Sequence, residues 1–229
     1  MDETAQTRFR RSWPRQLATV VVLAAILFGA AGTVGYWQGW IFLAAFIASS
    51  VGLALYFAKH DPALLERRMR AGPAAEQEPA QKIIIALLTA DLIAIIVLPA
   101  LDRRWHWSTA PWWVSLVGAV GIMVSFIVFF FVMKQNSYAA STVRVEAEQP
   151  VISTGLYGWV RHPMYMGALL LVLCTPLTLG SYWSLLLAIP ALPILAWRLL
   201  DEERLLKRDL PGYIDYCRHV RYRLVPGVW

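Results

Sequence analysis

Two polar clusters, each joined to an apolar run, hold the residue types and spacings that could do chemistry. The first is Gly155-Leu-Tyr157-Gly-Trp-Val-Arg161-His162-Pro163-Met-Tyr165-Met-Gly167, which leads straight into an apolar stretch. The second, Arg198-Leu-Leu-Asp201-Glu202-Glu203, closes another. Pro163 suits the first turn of a helix, where its missing N–H costs nothing, so a helix is expected to start at His162-Pro163. The free N–H groups of that first turn, with Arg161 beside them, attract an anion such as a carboxylate. Tyr157 and Tyr165 offer flat faces that stack on a nucleobase or approach a cation. Gly155, Gly158 and Gly167 permit close backbone approach. In the second cluster Glu202 can accept from an ammonium group, and Arg198 lies one turn earlier on the same helix face. Together the clusters suit a zwitterionic ligand with an aromatic base and a positive centre. S-adenosylmethionine is such a molecule.

The elements that must bring these clusters together are read from hydropathy. Of the 229 residues 58% are apolar and 16% charged, against about 45–50% and about 25% in a typical globular chain. That composition excludes a disordered chain, a coiled coil and an ordinary soluble domain. Apolar runs at about Leu17–Tyr36, Trp40–Ala58, Ile83–Leu101 and Trp112–Met133 are each long enough for one membrane span. A fifth run, about Met166–Leu200, is too long for one span. Gly180-Ser181 breaks it, and its second half carries Pro190 and Pro193, so it is expected to form a tight hairpin with incomplete or kinked arms. The expected fold is an all-α integral membrane bundle of four full spans, a C-terminal helical hairpin and a cytosolic C-terminal segment. We divide it into N-terminal transmembrane helices (1–134) and a catalytic region (135–229).

The net charge of +6 is a topology signal. Six crossings leave only Arg103 and Arg104, of 21 Lys and Arg, on the side opposite the termini. Both termini are therefore expected in the cytoplasm, in a bacterial-type inner membrane or another cytoplasm-facing one, with no nucleic-acid partner. Both clusters then meet at the cytoplasmic interface. Trp13, Trp37, Trp40, Trp105, Trp107, Trp112, Trp113 and Trp183 fall at span ends, as an aromatic belt would place them. The Ala-, Gly-, Pro- and Glu-rich segment Arg67–Gln81 reads as an exposed loop. Cys174 and Cys217 have neither disulfide-scaffold nor metal-ligand spacing, and no metal is expected.

The run from about 135 to 226 resembles the isoprenylcysteine carboxyl methyltransferase family and, more distantly, the membrane phospholipid N-methyltransferases. It carries a Gly-x-Tyr-x-x-x-Arg-His-Pro-x-Tyr-x-Gly block, an apolar hairpin and an acidic run. Gly212-Tyr213-Ile-Asp-Tyr216 and Arg223-Leu-Val-Pro226 follow in order. The resemblance implies a membrane methyltransferase using S-adenosylmethionine, enclosed between the hairpin and the C-terminal segment. It implies cofactor contacts at Gln135, at Gln149-Pro150-Val151-Ile152, and at Tyr157, His162, Tyr165 and Glu202. It also implies an acceptor contact at Arg198, with Arg161 beside it in the catalytic group. Asp201-Glu202-Glu203 offers three registers for the family's glutamate, of which Glu202 is our assignment. The implied acceptor is a lipophilic or lipidated substrate entering from the bilayer: the family name points to a carboxylate, as in isoprenylcysteine carboxyl methylation, and an isoprenoid thiol or a phospholipid amine stays open.

Other readings remain open from sequence. A membrane reductase of the sterol-reductase type would share a similar C-terminal architecture and use NADPH. A transporter or non-catalytic assembly factor would place ionisable groups at mid-membrane, where only Asp91 lies. Asp91 itself reads equally as a functional group or as a neutral acid bonded to a neighbouring helix. Tyr213 and Tyr216 are expected to pack the C-terminal segment onto the hairpin.

Overall fold

The computed structural model describes residues 3–69, 72–76, 78–139 and 149–229, with the side chains of 3–16, 69 and 73 outside the description. Trp13 therefore lies outside the described side chains. All regular structure among the described residues is helical: α1 (Glu3–Ala31), α2 (Trp37–His60), α3 (Pro62–Met69), α4 (Pro79–Trp105), α5 (Trp112–Gln135), α6 (Pro163–Thr178), α7 (Ala188–Asp209) and α8 (Tyr213–His219). Four helical stretches are long and apolar enough to cross a membrane: Trp37–His60, Pro79–Trp105, Trp112–Gln135 and Trp183–Asp209. Leu17–Ala31 and Pro163–Thr178 are shorter apolar helices. The protein is thus an integral membrane helical bundle. Its outer faces carry exposed Leu, Val and Ile, as lipid contact requires, and seven of the predicted belt tryptophans are exposed at helix ends.

The long fifth run does fold as a hairpin with unequal arms. Its first arm, α6, has 16 residues; its second is a 3₁₀ turn at Trp183–Leu187 continuing into α7. Gly180 sits at the bend with φ 72°, a conformation that favours glycine. Several polar groups around the bend are paired. Asp102 accepts from the Ser108 amide (2.7 Å) and from the hydroxyls of Ser108 and Ser181 (2.5 Å each). The Tyr36 hydroxyl donates to the Leu179 carbonyl at 2.5 Å.

Glycines on α5 bring α6 against it. A Cβ at Gly118 would collide with Thr178, and one at Gly121 with Cys174. Ser125 Oγ donates to the Gly167 carbonyl at 2.6 Å across the same contact. Leu27, Phe42, Ile96, Ile122 and Leu179 from five segments meet in the main core. Close packing of α6 on α5 fixes where the Arg161-His162-Pro163 turn emerges, and that turn forms one wall of the site.

The predicted exposed loop at Arg67–Gln81 is corrected by the structure (residues 70, 71 and 77 lie outside the described ones). Helix α3 continues to Met69, Pro73–Ala75 form a 3₁₀ turn, and α4 begins at Pro79. Glu76 is 4% exposed and Gln81 fully buried. The physical reason is Arg198, a buried cation on α7 that draws polar partners inward.

Candidate active site

At one end of the bundle a cavity of about 320 Å³ is enclosed by α3, α4, α5, α6, α7, α8 and the segments before α6. Gln149, Pro150, Val151, Ile152, Tyr157, Arg161, His162, Tyr165, Arg198 and Glu202 all line it. The sequence-distant clusters are therefore neighbours in space. Its lining mixes the polar residues of both clusters with apolar ones, among them Leu88, Phe129, Ala168 and Leu195.

Helix α6 starts at Pro163, with His162 as the residue before its first turn. The C-terminal segment is pinned to this start by backbone pairing. The Arg161 amide donates to the Tyr222 carbonyl and the His162 amide to the Arg223 carbonyl, both at 2.9 Å. Behind the turn lies Glu203, 2% exposed. Its carboxylate is 3.0 Å from Arg161 Nη1, 3.2 Å from Arg223 Nε, 3.3 Å from Lys207 Nζ and 3.4 Å from His162 Nε2. Arg161 Nη2 also donates to the Arg221 carbonyl at 3.2 Å. Arg161 thus touches the cavity while its charge is held by Glu203, which makes it a residue that orders the wall.

Successive residues on α7 point about 100° apart, and the acidic run uses that geometry three ways. Asp201 accepts from Gln81 Nε2 at 2.5 Å. Glu202 faces the cavity and accepts from the Tyr165 hydroxyl. Glu203 turns to the tail. Arg198 Nε donates to the Tyr165 oxygen at 3.1 Å, and its Nη1 donates to Gln81 Oε1 at 2.8 Å and Glu76 Oε1 at 3.1 Å.

Gln135 does not border the cavity. Its Oε1 accepts from the Leu156 amide at 3.0 Å, and it packs on Gly155, whose φ is +59°. It props up the 3₁₀ turn Gly155–Gly158 that carries Tyr157. The next residue, Asn136, does line the cavity and donates to the Tyr157 hydroxyl at 3.1 Å. Burial pushes the Tyr157 phenol up to about 12, so its proton stays in place at neutral pH and is available to a ligand.

Sequence reasoning missed Arg68, Asn136 and Tyr138 in the lining, and Glu76 and Gln81 behind it. Helix α3 is tied to the loop after α5: Arg67 and Arg68 donate to the carbonyls of Ser137 and Ala139, each at 3.0 Å. Tyr213 and Tyr216 pack the C-terminal segment as expected, and they also line the cavity. Tyr216 OH donates to the Tyr157 carbonyl at 2.7 Å, and Tyr213 OH lies 3.4 Å from His162 Nε2. Burial raises both phenols above the ordinary tyrosine range. Asp91 is partly buried on α4, and no hydrogen bond from it to a neighbouring helix is found among the described residues.

Residues 113–210 match the family model described as phospholipid methyltransferase. That stretch is similar to a phospholipid methyltransferase domain. The family includes the isoprenylcysteine carboxyl methyltransferases. The domain runs from α5 to the end of α7 and contains Tyr157, His162, Tyr165, Arg198 and Glu202. With the spanning helices, that match supports a membrane methyltransferase. No curated protein matches the chain significantly. The methyltransferase domain leaves Arg68, Glu76 and Gln81 before its first residue and Tyr213 and Tyr216 beyond its last.

Proposed function

We propose that the cavity binds S-adenosylmethionine and transfers its methyl group to a lipophilic acceptor admitted from the bilayer, a carboxylate as in isoprenylcysteine carboxyl methylation. The observation that carries this reading is the convergence of both polar clusters on one pocket that also has apolar lining. Its volume falls in the range of small-ligand sites, about 300–1,000 Å³. Its donor set suits the methyl donor. Tyr157 and Tyr165 supply aromatic faces and Glu202 a carboxylate for a cationic centre; residues 149–152 supply backbone groups.

When bound, S-adenosylmethionine supplies an electrophilic methyl on a sulfonium. The chain's task is to orient and to exclude water, which together lower the barrier of a displacement between two bound partners. Tyr165 and Arg198 fix Glu202 in the polar part of the cavity. Arg198 gives the acceptor head a hydrogen-bonding guanidinium, while Leu88, Phe129, Ala168 and Leu195 take its apolar tail. A carboxylate acceptor has no proton to lose, so no general base is required. The C-terminal segment is held against the Arg161–His162 wall by the Arg161–Tyr222 and His162–Arg223 pairings. We place this end of the cavity, the termini, the segment leading into α6 and the tail after α7 on the cytoplasmic side, in keeping with the excess of Lys and Arg there.

The test is to incubate the purified protein and native membranes with methyl-labelled S-adenosylmethionine and fractionate the product. Label in a lipophilic fraction that mild base releases as methanol supports a carboxyl methyl ester. Base-stable label overturns the carboxylate assignment, and no transferred label overturns the reading itself. A second expectation concerns the turn under Tyr157. In Gly155→Ala the new Cβ would lie 2.5 Å from Gln135 Nε2 at a φ that disfavours side chains. S-adenosylmethionine affinity should fall about tenfold, the scale of a small local displacement, as read by calorimetric titration.

A further inference from the structure

The wall of the cavity is cationic. Among the described residues it draws Arg68, Arg161 and Arg198 against one acid, Glu202. A sulfonium entering such a wall meets like charges, and within a protein interior that repulsion is large. Two carboxylates set behind the lining oppose it. Glu203 stands behind Arg161, and Glu76 stands behind Arg198.

Glu76 belongs to the connector between α3 and α4, ahead of the methyltransferase domain. Its Oε1 is 3.1 Å from Arg198 Nη1, the nitrogen that also donates to Gln81. Through Nε the same guanidinium reaches Tyr165, which donates to Glu202. Glu76 and the cavity-facing Tyr165–Glu202 pair thus approach Arg198 through different nitrogens.

We propose that Glu76 is a positioning residue for the methyl donor. It is the counter-charge that lets Arg198 form part of the wall without repelling a sulfonium, and so it sets the preference for charged S-adenosylmethionine over its neutral product, S-adenosylhomocysteine. This rests on the reading of the cavity as a donor site. It gives the N-terminal half of the chain a direct part in donor selection. It also gives product release a driving term: once the sulfur loses its charge, the pull of the Glu76-compensated site on it is lost.

The experiment is calorimetric titration of the purified protein in nanodiscs with each of the two ligands. Glu76→Gln keeps the side chain's shape and its oxygen toward Arg198 but removes the charge. S-adenosylmethionine affinity should fall about tenfold, the scale of one unit charge across a protein interior, while S-adenosylhomocysteine affinity changes less than about twofold. In the double variant Glu76→Gln/Arg198→Met charge and counter-charge leave together, so the ratio of the two affinities should move back from that of Glu76→Gln toward the wild-type one, short of it by the loss of the Arg198–Tyr165 hydrogen bond. A merely structural Glu76 would weaken both ligands alike, and that outcome, or an unmoved ratio, overturns the proposal alone. If the wild type binds neither ligand, the donor reading is overturned and this proposal with it.

Discussion

Glu202→Gln is expected to lower methyl transfer at least about 100-fold while leaving the protein folded and inserted. Glu202 is the one acid lining the cavity among the described residues, and it stands at the end of a chain of contacts. Arg198 Nε donates to the Tyr165 oxygen, and the Tyr165 hydroxyl donates to Glu202. The amide keeps the size of the side chain but removes the charge that faces a sulfonium. It also presents an N–H₂ group where an acceptor is needed. The sulfonium's charge is lost in the transfer, so the cost falls on holding and orienting the donor, and misplacing bound reactants by about 1 Å costs about 10² in rate. The check is label transfer alongside calorimetric titration with S-adenosylmethionine, with unchanged thermal unfolding in detergent as the folding control. Near-normal transfer in this variant would remove Glu202 from the site.

Glu203→Ala, one residue on, should do something different: the protein loses stability and its C-terminal segment comes loose. The Glu203 carboxylate is 2% exposed and lies within 3.4 Å of Arg161, His162, Lys207 and Arg223. Deleting it leaves Arg161 buried without its counter-charge, and breaking a buried pair from one side costs about 3–5 kcal/mol. Two readouts check this. The unfolding temperature should drop by several degrees, and trypsin should cut at Arg221 or Arg223 in the variant under conditions that spare the wild type. In the Glu202→Gln protein both readouts should stay at wild-type values. Equal behaviour of the two variants would contradict the division of labour between neighbouring residues.

That division shows what the sequence could and could not display. Tyr157, Arg161, His162 and Tyr165 were legible because Pro163 marks a helix start and the residue types around it have few uses at a membrane interface. The hairpin was legible because Gly180-Ser181 interrupts a run too long for one span. The register of Asp201-Glu202-Glu203 was not. Consecutive residues on a helix point to three faces, and which face meets Gln81, the cavity or the tail depends on packing that lies far away in the chain. The connector was misread for a related reason. Glu76 sits among Ala, Gly and Pro, a context that describes a solvated loop. The signal lay instead in Arg198, a cation near the end of an apolar helix that needs a partner from elsewhere. Asn136 rather than Gln135 borders the cavity, because the helix end at Gln135 turns the first toward Tyr157 and the second toward Gly155.

The unequal hairpin bears on the surrounding lipid. Sixteen residues of α6 rise only about 24 Å, against a hydrocarbon layer of about 30 Å. The polar bend at Gly180 and Ser181, with Asp102 bound to it, therefore sits several ångströms inside the level at which its neighbours leave the membrane. Lipid beside α6 has to thin to meet it, which costs fractions of a kcal/mol per ångström of mismatch. A local dimple in the bilayer is the expected result. That dimple lies along the helix whose first turn bears His162 and Tyr165, so membrane thickness becomes a mechanical load on the site.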